Sequence, residues 1–215
     1  MLRITLLLVI GVLAGCTSLN PEGRTASPSP SALPSGVANL TAGEDLGPGR
    51  YAFRGFGEPL VTFEVEGDPW KAVQLRDGFF DIQRGEADDP DVIAVQFARP
   101  TGVHGSDGAV LPTDAANAVA LLEDNPNLDV VETSSSQIGG LEGSQVTFEN
   151  SGEDPAGFID VPRATLGING GRRLWIAFFD TDDGVLAIMV GGSIQKWDEA
   201  LAAAEPVLES IEIGR

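Results

Sequence analysis

The only histidine of the chain, His104, stands close to Ser106 and Asp107, and these three side-chain types could form a nucleophilic catalytic triad. Such a triad requires the serine, the imidazole and the carboxylate to be held in fixed positions by rigid elements. The glycine-rich segment 101–108 instead indicates a flexible loop, and the sequence contains no Gly-x-Ser-x-Gly motif. We therefore predict a protein that is not an enzyme, and a hydrolase using His104 is the less favoured alternative.

Three acidic residues near the C-terminus, Asp180, Asp182 and Asp183, could begin a calcium-binding loop. The EF-hand pattern requires glycine at its sixth position and glutamate at its twelfth. Counted from Asp180, Gly184 falls at the fifth position and Gly191 at the twelfth. Because Asp-Gly between two apolar runs is a strong hairpin signal, we predict a turn here and no metal site.

Two other polar segments have a structural and a binding interpretation. The acidic run 86–91 is typical of a solvated loop, since it contains Pro90. Gly170 and Gly171 precede Arg172 and Arg173, a pair that could hold an anion but more often forms the charged rim of a hairpin. The sequence predicts no cofactor.

The three tryptophans, Trp70, Trp175 and Trp197, each lie in a predicted strand or helix. Large aromatic side chains supply much of the buried area of a domain, so we predict that all three belong to the core. A cavity lined by such residues, which would hold an apolar ligand, is the alternative.

The N-terminus has the features of a secretion signal. Arg3 precedes an apolar run over residues 4–14, which is too short to span a membrane as a helix. The next residues resemble a lipobox, the motif that lipoprotein signal peptidase cleaves: Leu13, Ala14, Gly15 and Cys16. That resemblance implies lipidation of Cys16, with palmitate-type acyl chains that anchor the protein to the outer face of the cell membrane. Since Cys16 is the only cysteine, no disulfide and no thiolate metal site are expected.

The charge balance narrows the range of partners. Thirteen basic residues stand against 32 acidic residues, giving a net charge of −19. Cleavage before Cys16 would remove Arg3 and no acidic residue, so the charge would become about −20. Binding to nucleic acid is not expected, because it requires basic patches. We expect an unknown envelope protein or an apolar ligand as the partner, while cation binding by the acidic surface stays open.

The composition divides the chain into three parts. Residues 1–15 form the predicted signal peptide, and residues 16–42 form a linker rich in proline and serine that cannot build a core. Residues 43–215 are then left as one domain of ordinary size.

Strands dominate the predicted domain. Apolar and polar residues alternate over 61–66, 93–97 and 145–149, and shorter candidate strands cover 70–75, 79–83 and 128–132. The runs 174–179 and 185–190 are apolar throughout, which indicates a central hairpin covered on both faces.

Two helices complete the prediction. The first covers about 113–124, capped by Thr113 or Asp114. The second begins near Ser193 and should break or kink near Glu205, because Pro206 lacks an amide proton. Residues 211–213 are a candidate edge strand. These elements predict an α+β domain, a mainly antiparallel sheet with helices packed on both faces.

The C-terminal part of this pattern resembles a group of small lipoproteins from Gram-positive-type bacteria. The resemblance rests on 174–180, on the Asp-Gly turn with the run 185–190, and on 197–200 and 207–211. A glycine-rich turn at 138–143 that leads into a strand fits the same group. The order of elements is similar to PsbP-like α/β/α domains. The resemblance implies a binding or assembly role and supplies no catalytic residues, so we expect a non-enzymatic, membrane-anchored module or, alternatively, a carrier of an apolar ligand between sheet and helices.

Overall fold

Strands form most of the regular structure in the computed structural model, which describes residues 33–86, 88–150 and 152–214. All of these residues fall in the compact unit Ala32–Arg215. The predicted signal peptide, Cys16 and the first half of the predicted linker lie outside the described residues. Among the described residues, no helix is long and apolar enough to cross a membrane.

The first half of the described chain contains nine strands and one 3-10 turn (Arg54–Phe56). They are β1 (Val37–Asn39), β2 (Asp45–Leu46), β3 (Gly49–Ala52), β4 (Val61–Val65), β5 (Trp70–Arg76), β6 (Phe79–Arg84), β7 (Ile93–Ala98), β8 (Gly102–Gly105) and β9 (Gly108–Val110). The second half contains α1 (Ala115–Glu123), β10 (Asp129–Ile138), β11 (Leu141–Asn150), β12 (Ala156–Val161), β13 (Ala164–Ile168), β14 (Arg172–Thr181), β15 (Gly184–Ser193), α2 (Trp197–Glu209) and β16 (Glu212–Ile213).

An antiparallel sheet of eight strands forms the centre of the fold, in the order β10-β11-β14-β15-β7-β6-β5-β2. Its middle is the predicted hairpin of β14 and β15, in which Thr181 pairs with Gly184 around the two-residue loop. Gly184 has a φ of +106°, a conformation that glycine adopts without strain. The β10–β11 turn uses Gly139 and Gly140, both with positive φ, as a two-residue type I′ hairpin requires.

Alternation along β14 separates two hydrophobic cores. Ile176 and Phe178 pack in one cluster, and Ala177 and Phe179 pack in the other, all four fully buried. Successive side chains of a strand point to opposite faces, so a strand that is apolar throughout must be covered on both sides. The predicted hairpin that is buried on both faces is therefore confirmed.

Each face of the central sheet is covered by one short helix and one small sheet. On the first face lie α2 and the sheet β1-β3-β4-β16, and on the second face lie α1 and the sheet β13-β12-β8-β9. The predicted antiparallel sheet is confirmed, but the expected layers of helices are not. The architecture is mainly β, because strands that the sequence analysis assigned to loops or linker form much of each cover.

Three boundaries differ from the prediction. Strand β1 lies in the predicted linker 16–42, where Leu40 is buried in the core on the α2 side of the central sheet. The predicted flexible loop 101–108 is instead the hairpin β8–β9. Helix α2 begins at Trp197 and continues through Pro206 to Glu209, so of the break or kink expected near Glu205 the break is wrong. Buried side chains on both sides of the proline hold the helix against the sheet and compensate for the lost amide donor.

Candidate functional site

A groove separates α2 from the sheet beneath it; we call it the α2 groove. Its floor is formed by side chains of β10, β11 and β14, including Ile138, Thr147 and Trp175, and its wall by Leu201 and Leu208 of α2. The groove is open to solvent and has a volume of about 660 Å³. The apolar side chains on its floor and wall are only partly buried. They therefore present apolar surface that the described residues do not cover.

The tryptophans divide between core and groove. Trp70 is 2% exposed and Trp197 is 7% exposed, so both are core residues as predicted. Trp175 is partly buried and lies on the floor of the α2 groove. Arg173 stacks over the Trp197 ring at 5.6 Å and donates from Nε to Glu149 Oε1 at 2.6 Å. Arg173 therefore binds a carboxylate of the protein itself, which differs from the external anion that the sequence allowed at this position.

Strand β10 forms the outer boundary of this groove and one edge of the central sheet. It is ten residues long, and nearly all of its side chains are exposed. Within the described residues only β11 pairs with it, so its outer side has no neighbouring strand. A long unpaired edge is a template for a further strand, and proteins commonly protect such edges with lysine or proline. β10 contains neither residue, and its bulge between Val130 and Glu132, with the acidic side chains beside it, leaves the run from Thr133 to Ile138 regular.

The charges around the α2 groove are mostly negative. Glu132 of β10 and Glu205 and Glu209 of α2 line it, and all three are exposed. No salt bridge of the described residues involves these three carboxylates. The arginine in the groove, Arg173, is already paired with Glu149. The groove therefore combines an apolar strip with uncompensated negative charge.

A second recess lies on the opposite face of the central sheet; we call it the polar cleft. Its floor carries Gln74, Gln83 and Gln96 from three neighbouring strands, and its volume is about 750 Å³. The strand β13 with the turn after it forms one wall, and the loop 88–92 forms the other. The floor is polar although the rest of this sheet face is an apolar core.

Asp81 lies beneath the floor of the polar cleft and is 1% exposed. Its carboxylate accepts from the Gln74 backbone N–H at 2.6 Å and from Gln83 Nε2 at 2.9 Å. Burial raises the pKa of Asp81 above its usual range, although these hydrogen bonds and one from Gln96 oppose the shift. A buried carboxyl under a cleft is an arrangement that occurs more often at functional sites than in ordinary cores.

The loop 88–92 is held in place as a wall of the cleft. Arg172 donates to the backbone oxygens of Pro90 at 2.6 Å and Val92 at 2.7 Å. Asp91 forms an ion pair with Lys196 at 2.5 Å and accepts from Ser193 Oγ at 2.9 Å. The hydrogen bond from Lys196 lowers the pKa of Asp91, with a smaller effect from Ser193. The acidic run that was predicted to be a solvated loop is thus held in place by Arg172 and Lys196.

His104 lies in strand β8, and its partner is not the neighbouring Asp107. Nε2 of His104 is 3.0 Å from Oδ1 of Asp160, which belongs to β12. Thr165 of β13 donates from Oγ1 to the same oxygen at 2.5 Å, and these two bonds lower the pKa of Asp160, that of Thr165 most. In a catalytic triad the hydroxyl forms a hydrogen bond with the imidazole, whereas here the Thr165 hydroxyl and the His104 imidazole both bind the Asp160 carboxylate. The cluster joins three strands of the small sheet, and His104→Ala still tests the hydrolase alternative.

The other predicted site residues have these positions. Asp180 accepts from the Ala115 backbone N–H at 2.8 Å and so caps the beginning of α1, together with Asp114. The hairpin interpretation of that acidic run is confirmed. The described residues contain no group of three histidine, cysteine, aspartate or glutamate side chains that could hold a metal ion. Cys16 and the signal residues Leu13, Ala14 and Gly15 lie outside the described residues, so their roles stay predictions.

Sequence reasoning missed the floor of the polar cleft. Phe80 and Ile82 alternate with Asp81 and Gln83, a pattern that is typical of a strand with one face in water. The alternation was visible, but it could not show that a second sheet covers part of the polar face. Only the pairing of β6 between β5 and β7 brings Gln74 and Gln96 beside Asp81.

Comparison with known proteins gives remote structural similarity only. No model of a protein family matches the chain, and no curated protein matches it. The solution structure of cyanobacterial PsbP (CyanoP) from Synechocystis sp. PCC 6803 is similar with a TM-score of 0.43 and 10% identity, over 81% of this chain and 95% of that one.

A second similar structure is LpqN, involved in cell envelope biogenesis of Mycobacterium tuberculosis, with a TM-score of 0.36 and 12% identity. The match covers 69% of this chain and 87% of that one. A PsbP protein is thus among the similar structures, as the resemblance of element order predicted. The mainly antiparallel architecture described above rests on the strand pairing of this chain itself.

Proposed function

We propose that this chain is an extracytoplasmic lipoprotein, anchored through Cys16, that acts as a non-enzymatic binding module for an extended polypeptide segment. The docking surface is the α2 groove together with the outer side of β10. The observation that supports the proposal is the ten-residue edge strand, unpaired on one side within the described residues and bordered by exposed apolar surface. Adding a strand to such an edge is a common mode of peptide recognition.

The charge of the groove specifies the occupant. Glu132, Glu205 and Glu209 face it without a salt bridge in the described part of the chain. A segment with lysine or arginine side chains would pair with them, whereas a second copy of this acidic chain would bring more negative charge to the same place. The bound segment is therefore basic, and it belongs to another envelope protein.

The apolar strip supplies the second half of the recognition. A strand added to β10 would direct every other side chain to the face that carries the groove. Lysine side chains on that face would lay their alkyl stems on the apolar surface of the groove and direct their ammonium groups toward the groove carboxylates.

The first experiment measures binding of two synthetic peptides of equal length to the full chain by calorimetry. One peptide alternates lysine with valine, and the other alternates glutamate with valine. We expect the lysine peptide to bind and the glutamate peptide not to bind. Glu205→Lys should weaken the lysine peptide by about three- to tenfold, since a reversed surface charge changes an ion pair by roughly 1 kcal/mol.

Glu123→Lys is the matched control, because Glu123 is an exposed residue of α1, on the opposite face of the sheet. This substitution changes the net charge by the same amount as Glu205→Lys. Equal weakening by both substitutions would show a nonspecific charge effect and would contradict the proposed surface. Dimerisation of the chain with no peptide binding would likewise contradict it, in favour of a second copy as the occupant.

Proline substitutions test the edge itself. Neighbouring residues of an antiparallel strand direct their amides to opposite sides, so one of Ser134 and Ser135 points its N–H outward. Of the variants Ser134→Pro and Ser135→Pro, we expect one to keep the wild-type unfolding free energy and lose peptide binding. Full binding by both variants, measured on folded protein, would exclude strand addition at β10.

A carrier of an apolar ligand is the second candidate function. It is favoured by the partly buried side chains of Ile138, Trp175, Leu201 and Leu208, which lie between sheet and helix where such a ligand would bind. Native mass spectrometry of the protein taken from its own cell envelope distinguishes the two functions. A co-purifying lipid that Trp175→Ala releases would support the carrier, and a mass without a small ligand would remove it.

A further inference from the structure

The polar cleft has no part in the docking surface proposed above, and a buried carboxyl group lies beneath its floor. Gln74 is exposed and Gln83 and Gln96 are half-buried, so solvent reaches the floor amides through the cleft. Asp81 shares their sheet face with Phe79 and Met189, which are core residues. An apolar side chain in place of Asp81 would complete that core at no polar desolvation cost, so the buried carboxyl group needs another reason.

The floor keeps hydrogen-bonding atoms for a ligand. Gln83 uses Nε2 to donate to Asp81, and Gln74 uses its side-chain oxygen to accept from Arg76. Within the described residues, no hydrogen bond uses Oε1 of Gln83 or Nε2 of Gln74. An acceptor and a donor thus remain side by side on the floor. A hydroxyl group, which donates and accepts, matches this pair.

The walls leave the cleft close to electrical neutrality. Arg76 and Arg172 line it, and so do Asp88 and Asp89, with Asp81 beneath the floor. Arg76 lies over the Phe79 ring at 5.6 Å, and Arg172 is used by the backbone of the opposite wall. No single sign of charge dominates, in contrast to the α2 groove. The cleft is therefore unsuited to selecting a strongly charged ligand.

Size and rigidity fit a small ligand. A volume of about 750 Å³ lies within the usual range of roughly 300–1,000 Å³ for small-molecule sites. The wall at 88–92 is fixed by Arg172 and by the Asp91–Lys196 pair, and the floor is fixed by the central sheet.

We propose that the polar cleft is a binding site for a neutral ligand rich in hydroxyl groups, such as a short oligosaccharide. Gln74, Gln83 and Gln96 contact its hydroxyls, and Asp81 fixes the Gln83 amide so that its oxygen faces the ligand. This site is independent of the peptide-binding proposal.

The test is a glycan array with neutral, carboxylated, sulfated and amino oligosaccharides, applied to the full chain, followed by calorimetry with the neutral glycan that binds best. We expect binding to neutral glycans and at least about tenfold weaker binding by Gln83→Leu, the change expected for one lost hydrogen bond and an unpaired partner. Gln145→Leu is the matched control, since Gln145 lies on the opposite face, in the α2 groove. It should bind as the wild type does.

Gln96→Leu is the second variant if Gln83→Leu unfolds, because it removes an amide from the neighbouring strand. Preference for charged glycans, no neutral glycan bound, or unchanged binding by both folded variants would overturn the proposal. A second arm uses phosphatidylcholine vesicles with a neutral glycolipid. If the wild type binds more strongly than Gln83→Leu to the vesicles only, the ligand is a membrane headgroup. If it binds more strongly to soluble glycans as well, the ligand is a free or polymeric sugar. The lysine peptide binds both variants equally, so failure here leaves the docking surface untouched.

Discussion

The α2 groove and the polar cleft lie on opposite faces of one sheet and differ in every property that decides what they could bind. Neighbouring residues of β14 illustrate the contrast, since Leu174 lines the cleft and Trp175 lines the groove. The groove is open, apolar and bordered by acidic side chains that form no salt bridge in the part of the chain that the structure describes. The cleft is walled, polar and balanced in charge. The alternation of a single strand is thus sufficient to supply two chemically different surfaces.

The two regions also differ in what they demand of the fold. The groove needs only that α2 leave part of the sheet uncovered, and the partly buried charge of Arg173 within it is paired with Glu149. The cleft requires a carboxyl group beneath its floor that is 1% exposed, and burying such a group costs free energy unless it is well hydrogen-bonded. Measurements of the free energy of unfolding can therefore distinguish the groove from the cleft.

The largest effect distinguishes Trp197, the first residue of α2, from Trp175 on the sheet beneath the helix. Trp197→Ala should lower the free energy of unfolding by about 3–5 kcal/mol, since it removes a buried side chain that attaches the helix to the sheet. Trp175→Ala should cost about 1–2 kcal/mol, because its ring is only partly buried. Urea denaturation monitored by circular dichroism measures both. Equal losses would mean that the groove floor is structural core.

A smaller effect concerns the wall of the cleft. Arg172→Gln should lower the free energy of unfolding by about 1–2 kcal/mol, since two hydrogen bonds from a charged donor to Pro90 and Val92 are lost. Amide exchange in residues 88–92 should accelerate, while that of β10 stays unchanged. Unchanged exchange in both regions would show that Arg172 does not hold this wall.

The pH dependence of two carboxyl groups near the cleft should have opposite signs. The raised pKa of Asp81 means that the folded state holds its proton more tightly than the unfolded state. Its contribution to stability therefore falls as pH rises from 3.8 through the raised value. The lowered pKa of Asp160 means the reverse, a contribution present above 3.8 and lost as pH falls through the lowered value.

Denaturation profiles of Asp81→Asn and Asp160→Asn across acidic and neutral pH measure these signs. Relative to the wild type, Asp81→Asn should gain stability as pH rises, because asparagine does not ionise. The variant keeps its local hydrogen bonds, since the amide oxygen still accepts from Gln74 and the Gln83 amide can rotate to accept from the new NH₂. Asp160→Asn should lose stability relative to the wild type as pH rises from the lowered pKa of Asp160 to 3.8, and should keep that deficit at higher pH. Parallel profiles for the two variants would contradict the burial argument for Asp81.

The sequence predicted the central hairpin because Val185–Val190 and its partner run are apolar on both faces, a pattern with few alternatives. It also placed α1 correctly, since Asp114 is a strong cap followed by helix formers. It missed β2 at the edge of the central sheet and six strands of the two covering sheets, β1, β3, β8, β9, β12 and β13. Such short strands owe their conformation to the sheets that they join rather than to their own alternation. Leu40 and Val103 are the only signals of burial that two of these segments carry.

The candidate sites depended even more on tertiary structure. Trp175 has the same apolar neighbours in sequence as a core tryptophan, and only the position of α2 exposes it. His104 finds its carboxylate 56 residues away rather than at Asp107, as pairing of β8 with β12 dictates. Residue type indicated which groups could react or bind, whereas the strand order decided which of them meet.

Amide hydrogen exchange of the full chain, with and without the alternating lysine–valine peptide, tests the central claim most directly. The unpaired edge predicts that the peptide slows exchange in β10, from Asp129 to Ile138, and in the α2 residues that face the groove. Exchange in the polar cleft, at Gln83 and Gln96, should stay the same. Protection that falls on the cleft, or on no part of β10 at saturating peptide, would contradict the assignment of this edge as the docking surface.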